Sequence, residues 1–224
     1  MRRPGAWLVP MLALALAGCG GEDKAAERVA RGRALVAEGK FEAAAAELKQ
    51  ATEADKNSFE AWLQLGHAYA GLKKYDEALA AYVTAKKVDR RAVTPYLAHA
   101  RVQIMLDRVA PAIIELTLVT EMDPKNLEAL KLLGKISQQP HQQPDGTTGV
   151  TRADLERAEL NLEAAAALAP QDAEVQLDLA RAQAKLGKRD AALATLRKLQ
   201  ALAATDAAGK ALLPEIEQTL KQLN

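Results

Sequence analysis

Aromatic side chains are scarce: two Trp, four Tyr and two Phe make up 4% of the 224 residues. Sandwiches and barrels lean on aromatic and β-branched residues, so this scarcity, beside a surplus of alanine, points to close-packed helices. A single cysteine excludes an intrachain disulfide framework and any cysteine-based zinc cluster. An excess of one charge is also missing. Thirty basic residues against twenty-nine acidic ones leave a formal +1, without the basic field that recruits nucleic acid. Walker, dinucleotide-binding, haem-attachment, HExxH and GxSxG motifs are lacking, and no catalytic constellation is found. What remains, 49% hydrophobic and 26% charged residues, fits a soluble globular chain.

The chain opens with Arg2 and Arg3, followed by an apolar stretch of eleven residues from Trp7 to Ala17. That is short of the ~20 residues a transmembrane helix needs. A positive start, a short apolar region and then small residues is the order of a secretory signal. The residues Leu16-Ala17-Gly18-Cys19 resemble the processing motif of bacterial lipoproteins. The resemblance implies that residues 1–18 are a signal peptide and that Cys19, the nucleophile for thioether attachment of a lipid, becomes the mature N-terminus. It also implies an outer-membrane location facing the periplasm, since Gly20 stands where aspartate would favour the inner membrane. Loss of the signal leaves 28 basic and 29 acidic residues, a formal −1. Residues 19–24 are expected to form the lipidated end and a short tether, Gly20 to Lys24 reaching at most about 17 Å. No cofactor beyond the covalent lipid on Cys19 is expected.

Self-similarity then organises the rest. Segments starting at Ala25, Phe59, Val93 and Leu127 lie thirty-four residues apart. Their eighth positions, Gly32, Gly66, Ala100 and Gly134, are all small. Their twentieth are Ala44, Ala78 and Ala112, and their twenty-fourth Leu48, Tyr82 and Leu116. With an insertion allowed in the fourth segment, Ala158 and Leu162 fall into phase. A fifth segment from Ala173 supplies Ala180, Ala192, Leu196 and Leu199. This pattern, with Trp62, Leu65, Gly66, Tyr69, Ala78, Tyr82 and Ala85 in the second segment, resembles the tetratricopeptide repeat.

The resemblance implies an all-α fold, a right-handed α-solenoid of five helix-turn-helix repeats. They cover residues 25–58, 59–92, 93–126, 127–172 and 173–206, and a capping helix spans 207–224 with Pro214 in its first turn or at a kink. Residues 139–150, rich in glutamine, proline and glycine, are expected to be an irregular inserted loop. Gly39 and Gly187 suit the left-handed turn that ends a helix. Thr94-Pro95 and Thr151 with Asp154 are expected helix starts. Arg28 and Arg31 replace apolar residues, so the first helix is expected to pack weakly or shift in register.

In that family helix A lines the inner surface, chiefly at positions two, five, nine, twelve and thirteen. Position nine carries Arg33, His67, Arg101, Lys135 and Arg181, a basic line through every repeat. Position five carries Leu63, Leu97, Lys131 and Leu177, and position twelve includes Ile104; Glu60, Glu128 and Glu174 at position two form an acidic margin. The surface suits a protein or peptide segment with apolar anchors and some negative charge. The family's carboxylate clamp needs asparagine at position nine, which is absent. His99 is expected to be partly buried and His141 solvated, and no metal site is expected. The resemblances together imply a membrane-anchored, non-enzymatic adaptor of the periplasm, by analogy with pilotins of type IV pilus secretins. Scaffolding of β-barrel assembly or of cell-wall hydrolases, a small-ligand or enzymatic use of the groove, and a membrane-surface scaffold are the alternatives.

Overall fold

The computed structural model describes residues 19–143, 145–203 and 207–223. The expected signal peptide, residues 1–18, lies outside the described residues. Twelve helices are present among the described residues: α1 (Cys19–Ala37), α2 (Phe41–Ala54), α3 (Phe59–Gly71), α4 (Tyr75–Val88), α5 (Val93–Met105), α6 (Val109–Met122), α7 (Leu127–Ile136), α8 (Arg152–Leu168), α9 (Ala173–Lys185), α10 (Arg189–Ala203), α11 (Ala207–Ala211) and α12 (Leu213–Leu223). The first ten form five antiparallel pairs, and each pair packs on the next. The first members α1, α3 and α5, and likewise α7 and α9, also touch one another directly. That proximity places them on the inner, concave side of a solenoid and the even-numbered helices outside.

Within each pair a small residue admits a large one. A Cβ added at Gly32, Gly66 or Gly134 would collide with Leu48, Tyr82 or Leu162 respectively. Ala100 and Leu116 hold the same places in the third pair, and both are fully buried. The tight turns between paired helices put Gly39 and Gly187 at φ +73° and +76°, as expected. Lys73 and Asp107 occupy the corresponding turns at φ +58° and +57°.

Starts of helices are satisfied locally. The side chains of Ser58, Asn126 and Asp172 accept from backbone N–H groups of the first turn. Thr151 and Asp154 form a reciprocal capping box, as expected. Thr94-Pro95 does not start α5: the cap position is Ala92, without a side-chain bond, and Thr94 and Pro95 fall inside the first turn. A proline's fixed φ suits that turn, where its missing N–H costs nothing.

Three further expectations need correction. Gly20 to Lys24 are helical rather than a tether, because α1 begins at Cys19 and runs into the strong helix formers Ala25, Ala26 and Glu27. Residues 139–150 are not wholly irregular: His141–Gln142 and Thr148–Gly149 pair as a short antiparallel hairpin, β1 and β2. The C-terminal cap is two helices, α11 and α12, broken at Leu212, with Pro214 in the first turn of α12. Ile216 of α12 is fully buried in a cluster with Leu177, Leu196 and Leu199, closing the last pair. The first helix keeps the common register, with Gly32 against Leu48, and packs lightly, as expected: of its described residues only Ala25 and Gly32 are buried, while Arg28 and Arg31 reach Glu47 on α2 at 3.0 and 3.4 Å.

Candidate binding groove

The inner surface is built from α1, α3, α5, α7 and α9, and the line of position-nine side chains runs across it. Its electrostatics differ from a simple basic stripe. Arg101 pairs with Glu128 on the next inner helix. Lys135 donates to Glu174 at 2.6 Å, and Arg181 donates to Glu215 of the C-terminal cap at 2.5 Å. Lys131 donates to Asp172 at 2.6 Å. The hydrogen bond from Lys135 to Glu174 holds the ammonium above its usual pKa, against the opposing effect of partial burial. Each cation thus reaches forward to a carboxylate of the following unit. Exposed pairs of this kind contribute at most about 1 kcal/mol each, so their main effect is to neutralise the line.

The first two repeats differ. Arg33 is exposed and makes no ion pair among the described residues. His67 stacks edge-on against Tyr82, with ring centroids 5.6 Å apart. Burial, and next the Arg101 charge, push its pKa below the usual histidine value, so the ring is neutral near pH 7.

The apolar positions divide in two. Leu97 and Ile104 are half-buried and reachable from the groove. Leu63 and Leu177 are 5% and 2% exposed, and belong to the core instead of an open floor. Leu63 is buried because it packs between repeats, in a cluster with Ala98 and Val102 of α5; Leu177 does the same against α10 and α12.

At the C-terminal end the groove deepens into a cleft of about 640 Å³ between α7, α9 and the cap. A second cleft, about 720 Å³, lies on the opposite, outer face, where Lys49 and Thr52 of α2 and Thr84 of α4 flank Trp62, Leu65 and Tyr69. Despite its size it is away from the position-nine line. At the next junction the same place is filled. Thirty-four residues after Thr52, Leu65 and Ala81 stand Lys86, His99 and Glu115. Lys86 donates to Glu115 at 2.7 Å, and His99 Nδ1 lies 3.2 Å from the same carboxylate oxygen. Burial, then Lys86, lowers the His99 pKa. His99 is therefore buried, as expected, and its partners become apparent only when two repeats are superposed.

His141 departs from its expected solvation, since its side chain is only 8% exposed. The hairpin folds back on α8: Gln143 donates both to Gly149 O and to Asp154 Oδ2. His141 Nε2 lies 3.6 Å from Asp154 Oδ1. Asp154 is 3% exposed; burial pushes its pKa up, but hydrogen bonds from Thr151 and Gln143 and the neighbouring His141 bring it below the usual carboxylate range. This is a structural anchor for the insert. Among the described residues no group of three or more His, Cys, Asp or Glu side chains is arranged to hold a metal ion.

Family models agree with this geometry. A model described as TPR repeat matches residues 32–73, and two described as tetratricopeptide repeat match 59–91 and 151–216. The chain is a tetratricopeptide-repeat protein. The matches fall on both sides of residues 92–150, which hold the third repeat, α7 and the inserted hairpin. Among solved structures, this tetratricopeptide-repeat chain is similar to a MamA protein (TM-score 0.70, 18% identity, covering 83% of this chain and 94% of that one). It is similar to YrrB, described as having an unusual peptide-binding site (0.69, 19%, 85% and 91%). MamA of Desulfovibrio magneticus RS-1 is comparable (0.68, 21%, 83% and 98%). At these identities the likeness is one of fold. No curated protein sequence matches the chain.

Proposed function

We propose that this protein is a non-enzymatic adaptor that holds a segment of a partner protein along its concave groove. The observation that carries this reading is the continuous inner surface. Half-buried Leu97 and Ile104 offer apolar contact, Arg33 offers an unpaired cation, and a cleft lies at the far end. A preformed surface of packed helices binds an extended or helical segment without paying for its own ordering. YrrB, a repeat protein of similar fold with a peptide-binding site, is consistent with it.

The second element is a lipid tether. Cys19, in the sequence Leu16-Ala17-Gly18-Cys19, supports acylation and retention at the periplasmic side of the outer membrane. No helix among the described residues is long and apolar enough to cross a membrane. With α1 starting at Cys19, the repeats would stand directly on the lipid surface instead of hanging from a flexible arm. An adaptor so placed would present its partner at the membrane, as in pilotin-assisted secretin assembly; β-barrel assembly or hydrolase recruitment would use the same geometry. Cell fractionation tests the two elements separately. Cys19→Ala is expected to move the protein out of the membrane fraction while preserving partner capture. Leu97→Asp is expected to abolish capture while leaving the protein membrane-bound.

A further inference from the structure

The sign of the charge changes along the groove. In the cleft between α7, α9 and the cap, four carboxylates (Asp172, Glu174, Asp178 and Glu215) face two cations, Lys135 and Arg181. Adding Lys131, which donates to Asp172, still leaves an excess of one negative charge. The cations are already committed, Lys135 to Glu174 and Arg181 to Glu215.

Asp178 is the carboxylate left under-served. It is 8% exposed, and it lines both the large cleft and a small recess beneath Lys135. Among the described residues its side chain has one hydrogen-bond partner, Arg181, at 3.5 Å, the outer limit of such a contact. Burial raises its pKa, an effect that Lys135 and Arg181 only partly offset. A buried carboxylate with open acceptor sites, facing a cleft, is stabilised by any cation that enters. Half-buried Leu212 and exposed Ala211 lie in the same wall and provide apolar contact for an aliphatic stem. The carboxylates do not converge into a metal-ligand set, which favours an organic cation.

We propose that this cleft is a cation subsite of the groove, accepting an arginine or lysine side chain of the bound segment, with Asp178 as its principal acceptor. The inference rests on the groove reading above, but reverses, at this end, the negative partner charge that the basic line by itself suggests.

Display selection with a library of random short peptides on the purified chain tests it. Selected peptides are expected to share an Arg or Lys at one position, and to lose at least about tenfold in affinity on Asp178→Asn. Glu174→Gln, on the exposed lip, is measured in parallel and decides the matter should the first variant fold poorly. Peptides that bind the groove, as judged by loss of affinity on Leu97→Asp, but lack a shared cation or ignore both cleft variants, overturn the subsite and leave the groove reading standing. Failure to select any peptide sensitive to Leu97→Asp overturns the groove reading and the subsite together.

Discussion

Lys135 of the fourth repeat donates to Glu174 of the fifth at 2.6 Å, although thirty-nine residues separate them along the chain. Arg101 and Glu128 make the equivalent pair one repeat earlier, across twenty-seven residues. The difference is the twelve-residue insertion between α7 and α8, which the solenoid accommodates without disturbing this register. The inner line of cations therefore doubles as a set of clasps between neighbouring repeats.

A charge-swap cycle tests the clasp. Lys135→Glu and Glu174→Lys are each expected to destabilise the chain by no more than about 1 kcal/mol, and the double swap to recover most of that loss. Urea denaturation in low and high salt measures it, and salt should shrink the coupling. Strictly additive losses would show that the pair is not coupled.

Packing within a repeat should be less forgiving. Gly134 lies against Leu162, and a methyl group there has no room. Gly134→Ala is expected to cost about 1–3 kcal/mol by overpacking, read as a lower urea midpoint. Gly149, with open space around its α-carbon, serves as the control and should tolerate alanine. Equal midpoints for the two variants would contradict the close approach of α7 and α8.

Asp178 yields a pH prediction. Burial raises its pKa in the folded chain, so the folded state holds this proton more tightly than the unfolded one. Its contribution is fully present below the unfolded carboxylate pKa and is lost as pH rises through the folded value. At pH 7 the ionised group is a liability in the empty cleft. Asp178→Asn should therefore melt higher than the parent at pH 7, with the gap closing as pH falls through the carboxylate range. A parent that is more stable than the variant at pH 7 would show that Lys135 and Arg181 already compensate the charge.

Much of the helical scaffold was legible because it depends on spacing. Small residues at the eighth and twentieth positions and large ones at the twenty-fourth dictate where two helices can meet, and Gly32, Gly66 and Gly134 lie against Leu48, Tyr82 and Leu162 of that series. The capping box at Thr151 and Asp154 was legible for the same local reason. Features built across repeats were harder to see. Leu63 and Leu177 read as groove floor because their positions face inward, yet each is covered by the next helix pair. Neutralisation of Arg101, Lys135 and Arg181 depends on carboxylates that approach only once the repeats stack. Glu128 and Glu174 were visible as an acidic margin, and their fixed offset from the cations was the available signal. The hairpin had no such signal: its strands are two residues each, held by Gln143 reaching a buried Asp154 on another element.

The central claim is that the partner lies in the concave groove, and site-specific photo-crosslinking in cells tests it most directly. A photoreactive residue at Arg33, Arg101 or Lys135 samples the inner surface. The same residue at Ile114 or Leu160, 63% and 68% exposed, samples the outer face of α6 and α8. One shared adduct from the inner positions, absent from the outer ones, is the predicted result. An adduct formed only from Ile114 and Leu160, or no adduct from any inner position, would contradict the account.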